Sequence, residues 1–467
     1  MSILKRPAIY TDYYELSMAQ GYFLAGRTDE TATFDYFFRK NPYKGGFVIF
    51  AGLSDLLELL HEFRFRDDEL EYLKTYGFRD EFLEFLRDFR FQATLYAATE
   101  GEIVFPFEPV VRVEGSLIET QIIESLLLNI LNFESLIATK AARIRQVAGN
   151  KLVSDFGLRR SQGFGGILAS KASIIGGLDS TSNVYSAFKY DLKATGTMAH
   201  SWIQSFEDEL TAFRKFAEYY PDQCILLVDT YDTLKSGVPN AIKVGKELEA
   251  QGHQLKGIRL DSGDLAYFSR ESRKMLDEAG LDYVKIAASN QLDEHLIKSL
   301  MGQEAPIDLF GVGTRLVTGY DSPALDGVYK LSTINQEPKL KISENVEKIT
   351  LPGFKKVVRL FNGDDMFYGD GIFLDDENEV DTIYHPHYPN KYTEITRYRK
   401  ENLHQKVMEN GEIYIELPKA KESAQYAGKR MKKLRKDHKR FENPHVYKVG
   451  ISRKLMNLRD KLVNKEK

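Results

Sequence analysis

The chain has 467 residues, 43% hydrophobic and 28% charged, with a formal net charge of −4. That balance predicts an ordinary folded protein of two or three domains, large enough to bury a core without covalent staples, and it excludes disordered, collagen-like and disulfide-scaffold classes. Cys224 is the single cysteine and sits in the apolar run QCILLV; it reads as a buried core thiol, and a reducing, cytoplasmic setting is expected.

The first residues, MSILKRPAIYTDYYELS, lack the apolar core of a secretory signal, and no run reaches the roughly 18 apolar residues of a membrane span, so no membrane partner is expected. TDYYELSMAQGYFLAG predicts a helix with Thr11 or Asp12 as N-cap. TATFDYFFRK alternates as a strand does, and the loop NPYKGG follows it. GLSDLLELLHEF and residues 67–89 are amphipathic and predict surface helices; EGEIVFPFEPVVRVEG is proline-punctuated β structure. Residues 1–118 therefore read as a mixed α+β N-terminal domain. Residues 119–147 contain neither Gly nor Pro and predict one long helix or two joined ones, mostly buried.

From residue 151 a strand-then-loop rhythm begins. The strand candidates are KLVSDF, CILLVDT, KGIRLDS, YVKIAASN and DLFGVGT. The last four end near Asp229, Asp261, Ser289 and Gly313, at intervals of 32, 28 and 24 residues. That is the spacing of βα units, with NAIKVGKELEAQ and ESRKMLDEAG as intervening helices. The strands are apolar on both faces, as buried parallel strands are, and polar residues gather at their C-terminal ends. Residues 119–335 read as an α/β domain, either an incomplete (β/α) barrel or an open doubly wound sheet. Residues 336–467 form a C-terminal region with β segments (KKVVRLF, GIFLDDENEV, EIYIEL) and a basic helix. From Pro418 to Lys467 there are 17 Lys and Arg against 5 Asp and Glu. KRMKKLRKDHKRF carries no nucleic-acid motif and no aromatic platform, so a solvated helix is expected and no nucleic-acid partner. His385 and His387 in HPH lack a cysteine or acidic companion and read as a loop.

The candidate chemistry lies at the strand ends. In DFGLRRSQG, Arg159 and Arg160 can bind a carboxylate or phosphate bidentately, while Phe156 can stack on a ring; a salt-bridged loop is the plain alternative. GGLDSTSNV sets Asp179, Ser180 and Thr181 at a turn into a helix, which suits either an anion or an ordinary cap. His200 in GTMAHSW has small neighbours. IRLDSGDL puts Arg259, Asp261 and Asp264 on one turn, a set suited to ribose hydroxyls or Mg²⁺. DTYDT adds Asp229 and Asp232. FGVGTRL offers a glycine turn after a strand, as in barrel phosphate sites.

Eight segments in order carry a resemblance: TDYYELSMAQGYF, NILNFESLIATKAARI, DFGLRRSQG, GGLDSTSNV, GTMAHSW, LLVDTYDT, IRLDSGDL and FGVGTRL. Together, over nearly the whole length, the chain resembles the nicotinate phosphoribosyltransferase family. The resemblance implies a type II phosphoribosyltransferase with an incomplete TIM-like α/β barrel, and a homodimer with shared sites. It implies that nicotinate and 5-phosphoribosyl 1-pyrophosphate give nicotinate mononucleotide and pyrophosphate for NAD salvage. ATP hydrolysis would be coupled through a phosphohistidine at His200, with Mg²⁺ as cofactor. It further implies that Phe156 stacks on the pyridine ring, that Arg159 faces its carboxylate and that Asp179 lies beside it. Tyr14 of the partner would close the ring's other face. Arg259 and Asp261 would hold the phosphoribosyl substrate, and Gly311, Gly313 and Thr314 its 5′-phosphate.

Overall fold

The computed structural model describes residues 4–342 and 350–465. The chain divides into two compact units, Met1–Thr139 with Ala324–Lys467, and Lys140–Pro323. The sequence reads as three consecutive domains; the two ends of the chain instead share one unit. The reason is long-range antiparallel pairing, which local pattern does not reveal. Strand Thr31–Phe38 pairs with Gly327–Ile334 on one side and Val111–Ser116 on the other, and Thr94–Ala97 pairs with Gln405–Glu409.

These strands belong to a seven-stranded sheet of the first unit. In TATFDYFF the residues Ala32 to Tyr36 are all buried, so the alternation seen in sequence does not mark a solvent face. The charge in its middle is answered: Asp35 meets Lys355 Nζ at 2.8 Å, and both side chains are buried. A second sheet of six strands includes Lys355–Phe361 and Phe367–Leu374, an antiparallel pair. The helix Tyr13–Leu24 begins at Asp12, whose extended backbone makes it the N-cap although its side chain caps nothing. Residues 119–147 resolve into two helices, Leu117–Gln121 and Glu124–Ala148; a Ser116–Glu119 capping box starts the first. By length and composition Leu117–Ala148 could cross a bilayer, but its most apolar window is 72% buried in protein, as a core helix is.

The second unit is an α/β fold. Its strands are β1 (Leu152–Asp155), β2 (Ser180–Thr181), β3 (Ile225–Leu227), β4 (Gly257–Leu260), β5 (Lys285–Ser289) and β6 (Leu309–Val312). They form one parallel sheet in the order β2-β1-β6-β5-β4-β3. Consecutive strands are neighbours and the last pairs with the first. The sequence of neighbours is interrupted between β2 and β3, which have no mutual pairing among the described residues. Helices Val238–Ala250, Leu265–Glu278 and Glu294–Gly302 connect β3 through β6, as the spacing predicts. Because all strands are parallel, their C-terminal ends share one rim.

Candidate active site

β1 delivers the first group to that rim. Its last residue, Asp155, is wholly buried. Oδ1 accepts the Gly157 N–H at 2.8 Å, and Oδ2 accepts the hydroxyls of Ser170 and Thr181, each at 2.8 Å. Burial pushes this carboxyl up, against the pull of the three donors. The clamp fixes the turn that carries Phe156 and Arg159. Phe156 donates its N–H to Val312 O at 2.8 Å, and its ring lies on Gly311, where a Cβ would stand 2.4 Å from ring carbons. Glycine at 311 thus admits the ring. Leu158–Arg160 is a single 3₁₀ turn that leaves Arg159 and Arg160 exposed, with no ion pair among the described residues.

β4 and β5 deliver the second group. Arg259 donates through Nε to Ser289 Oγ at 2.9 Å, through Nη2 to Asp261 Oδ1 at 2.9 Å and through Nη1 to Met198 O at 3.4 Å. The Ser289 hydroxyl also donates to Asp261. The Arg259 guanidinium carbon is 5.7 Å from the centre of the Phe156 ring. Burial raises the Asp261 carboxyl, but Ser289, Arg259 and His200 outweigh it and hold the group below the usual carboxylate range. Asp229, after β3, braces this turn: its Oδ2 accepts the Asp261 N–H and the Ser262 hydroxyl, each at 2.7 Å. Its Oδ1 is buried with no hydrogen-bond partner.

His200 opens the short helix His200–Gln204 and joins this group. Its Nδ1 is 3.0 Å from Thr230 Oγ1, while Nε2 is 3.9 Å from Asp261 Oδ2 and 4.0 Å from Asp229 Oδ1; the side chain is 40% exposed. An imidazole oriented at one nitrogen and open at the other can act as nucleophile or base.

Beyond β6, Gly313 starts the turn Thr314–Val317, and a Cβ there would stand 3.0 Å from the carbonyl oxygen of Phe156. Gly311, Gly313, Phe156, Arg259, Asp261 and His200 thus belong to one rim. Asp179 does not join them. It stands one residue before β2, level with Val153, where its carboxylate takes the Val153 N–H at 2.7 Å and pairs with Arg145. That brace is level with Val153, so the structure does not bring Asp179 to the rim beside Phe156. Asp264 and Asp232 are helix caps, accepting Tyr267 N–H and the N–H groups of Leu234 and Lys235. Cys224 is buried, and burial pushes its thiol up to about 12. Tyr14 lies in the first unit and is half-exposed; burial and the Glu124 carboxylate push its phenol up.

Of the rim residues, Thr230 was not singled out by sequence reasoning, and Asp155 and Ser289 stood out only as the polar ends of apolar strands. That signal also describes caps such as Asp264.

Comparison with known proteins follows the same lines. Residues 9–132 match the N-terminal domain of nicotinate phosphoribosyltransferase, residues 152–376 the nicotinate phosphoribosyltransferase family, and residues 354–459 its C-terminal domain. The chain is 42% identical to nicotinate phosphoribosyltransferase of Bacillus subtilis (strain 168), over 95% of this chain and 93% of that protein. It is 37% identical to the Dictyostelium discoideum protein of the same name, over 96% and 87%. The crystal structure of human nicotinic acid phosphoribosyltransferase superposes with a TM-score of 0.86 at 30% identity, covering 97% of this chain and 99% of that one.

Proposed function

The chain belongs to the nicotinate phosphoribosyltransferase family, and on that premise we propose that it joins nicotinate to 5-phosphoribosyl 1-pyrophosphate, with ATP hydrolysis coupled through a phosphohistidine at His200. The product is nicotinate mononucleotide for NAD salvage. The observation that carries this reading is the shared rim, where the braced Arg259–Asp261–Ser289 network and His200 stand beside Phe156. The strand order, a ring interrupted once, supports reading the second unit as an incomplete TIM-like barrel.

In the transfer step the pyridine nitrogen attacks the anomeric carbon and the bond to pyrophosphate breaks. No proton moves, because the nitrogen's lone pair becomes the new bond. The residues' work is alignment and charge stabilisation. Phe156 offers a face to the pyridine ring, and the unpaired Arg159 offers a fork to its carboxylate. Arg259 and Asp261 hold the phosphoribosyl group, with the turn at Gly313 and Thr314 against its 5′-phosphate. Asp229, with its unpartnered buried Oδ1, and Asp261 would hold Mg²⁺ together with substrate phosphates, and the ion would supply charge neutralisation at the leaving pyrophosphate.

The mechanism requires the tautomer in which Nδ1 donates to Thr230 Oγ1, 3.0 Å away, so that His200 Nε2 keeps its lone pair. It attacks the γ-phosphorus of ATP and ADP leaves; water later cleaves the N–P bond, giving phosphate and the free imidazole. The cycle assists transfer only if the phosphorylated form binds the substrates with a different affinity. Tyr10, Tyr13, Tyr14 and Met18, on or just before the helix Tyr13–Leu24, are exposed large apolar side chains, which supports a homodimer in which Tyr14 serves the partner's ring site.

The decisive test compares nicotinate with nicotinamide, with and without ATP, in wild type and His200→Ala. The expected result is nicotinate turnover accelerated by ATP, with acid-labile label from γ-³²P-ATP on the wild type alone. Equal labelling of His200→Ala would remove the phosphohistidine assignment. For the dimer, inactive Tyr14→Ala and Arg159→Ala proteins should regain activity when mixed and reassembled; failure in confirmed heterodimers would return Tyr14 to its own chain or to no site.

A further inference from the structure

The first unit contains a cavity of about 750 Å³, within the size range of small-molecule sites. Its walls include Arg39 and Asn41 from the turn after Thr31–Phe38, the segment Phe105–Phe107, and the turn that carries His385 and Lys391. Lys448 closes another side. No Asp or Glu lines it, in a chain where 68 of 467 residues are acidic.

Elsewhere on this unit cations have counter-ions: Arg399 and Lys433 share Asp365, and Lys454 meets Asp376. In the cavity, Arg39 and Lys391 have no ion pair among the described residues; each lies over a ring instead, Phe37 at 5.7 Å and Tyr388 at 4.9 Å. Lys448 Nζ is bonded to neutral oxygens, Tyr368 Oη at 3.0 Å and Thr393 Oγ1 at 3.1 Å. Cations without counter-ions on a concave wall focus a positive potential into it.

The neutral groups narrow the ligand further. His385 Nδ1 accepts the N–H groups of His387 and Tyr388 at 3.1 and 3.2 Å, so its proton is on Nε2. Burial, with His387 and Lys391 nearby, lowers its pKa and keeps it a neutral donor. Asn41 Oδ1 is buried with no hydrogen-bond partner, an acceptor without a donor. The aromatic wall is rigid: Phe105 stacks on Tyr447 and Phe107 meets His387 edge-on. A bare phosphate would use the cations and leave the rings and Asn41 uncovered.

We propose that this cavity, which shares no residue with the His200 rim, is a second ligand site that takes a nucleotide with an exocyclic amine, its phosphates on Arg39, Lys391 and Lys448 and its base on the aromatic wall with the amine donating to Asn41.

The test is a titration of the full-length protein with fluorescent mant-ADP. Because the His200 rim is itself read as a nucleotide site, the titration is run in an Arg259→Ala, His200→Ala background. A binding phase should remain there. Lys391→Glu, at an exposed position, and Arg39→Ala should each weaken it at least tenfold, and Asn41→Leu should weaken it less. Added salt should weaken it as well. Loss of all binding in the Arg259→Ala, His200→Ala background, or binding indifferent to both Lys391→Glu and Arg39→Ala, overturns the site. Competition by inorganic phosphate at the same concentration as unlabelled ADP overturns the nucleotide assignment.

Discussion

The first unit buries an ionic cluster around Arg359, and the second gathers one around Arg259. Arg359 is fully enclosed. Its nitrogens reach Glu102 at 2.6 Å, Asp370 at 2.6 and 3.0 Å and the Ile103 carbonyl at 2.7 Å. Arg430 adds a second cation to Glu102 at 2.8 Å, and the Tyr447 hydroxyl donates to Asp370 at 3.0 Å. Around Arg259 the side chains remain in reach of solvent, 13% exposed for Arg259, 26% for Asp261 and 40% for His200. There Asp229 Oδ1 has no hydrogen-bond partner. Depth and perturbation favour the first cluster; the nearby Glu108 carboxyl is pushed far up by burial and by Asp370. Chemistry favours the second, because its side chains stay within reach of solvent; in the first, Glu108 Oε1 and Arg430 Nη2 also lack hydrogen-bond partners but are enclosed where no substrate meets them. Perturbed titration points to function only when the group is also within reach of a substrate.

The sharpest way to break this contrast is Arg359→Ala. It leaves Asp370 and Glu102 buried without their main cation, so folding stability should fall by about 3–5 kcal/mol in urea unfolding. A loss under about 1 kcal/mol would mean that the cluster is not structural. Arg159→Ala should do the reverse. Stability should stay within about 0.5 kcal/mol, as for surface sites, while nicotinate affinity falls by about 2–5 kcal/mol in calorimetry. An unchanged affinity would pass the carboxylate role to Arg160.

Gly311→Ala tests the seat of the Phe156 ring. The added methyl meets the ring at 2.4 Å, and such overpacking should cost about 1–3 kcal/mol of stability, with a higher KM for nicotinate; an unaltered KM would show that the ring's position is not set there. The smallest effect concerns pH. Asp261 is held below its unfolded carboxylate range, so its contribution to stability is present above that range and is lost as pH falls through the folded value. Asp261→Asn should flatten the acid limb of the stability curve and raise the KM for the phosphoribosyl substrate. An acid limb identical to wild type would place the stabilising partners elsewhere.

The strands and helices of the second unit were legible because buried parallel strands and amphipathic helices write their period locally. KGIRLDS and YVKIAASN became β4 and β5 with small changes at the ends. The two-residue β2 is too short to leave a pattern. The first unit's sheet was not legible, because the pairing of Thr31–Phe38 with Gly327–Ile334 spans some three hundred residues. At the site, Arg259 is hydrogen-bonded to Asp261 and lies 5.7 Å from the centre of the Phe156 ring. Asp179 looked equivalent to Asp229 and Asp261, each an acid following an apolar run. Only the direction of its side chain, back toward Val153 and Arg145, separates a brace from a rim residue.

The two strands at the margins of the second unit's sheet, β2 and β3, are two and three residues long. An unpaired strand margin offers amides and carbonyls to any passing chain, and a long one seeds aggregation. The outer edge of β2 is met by Lys193–Thr195 through a bridge from Thr181 to Ala194, and the margin of β3 is too short to serve as a template. The sheet can therefore stay open between them, where the chain from Ser182 to Cys224 carries His200, without becoming adhesive. Lengthening either strand to seal the opening would trade that freedom for a surface prone to self-association.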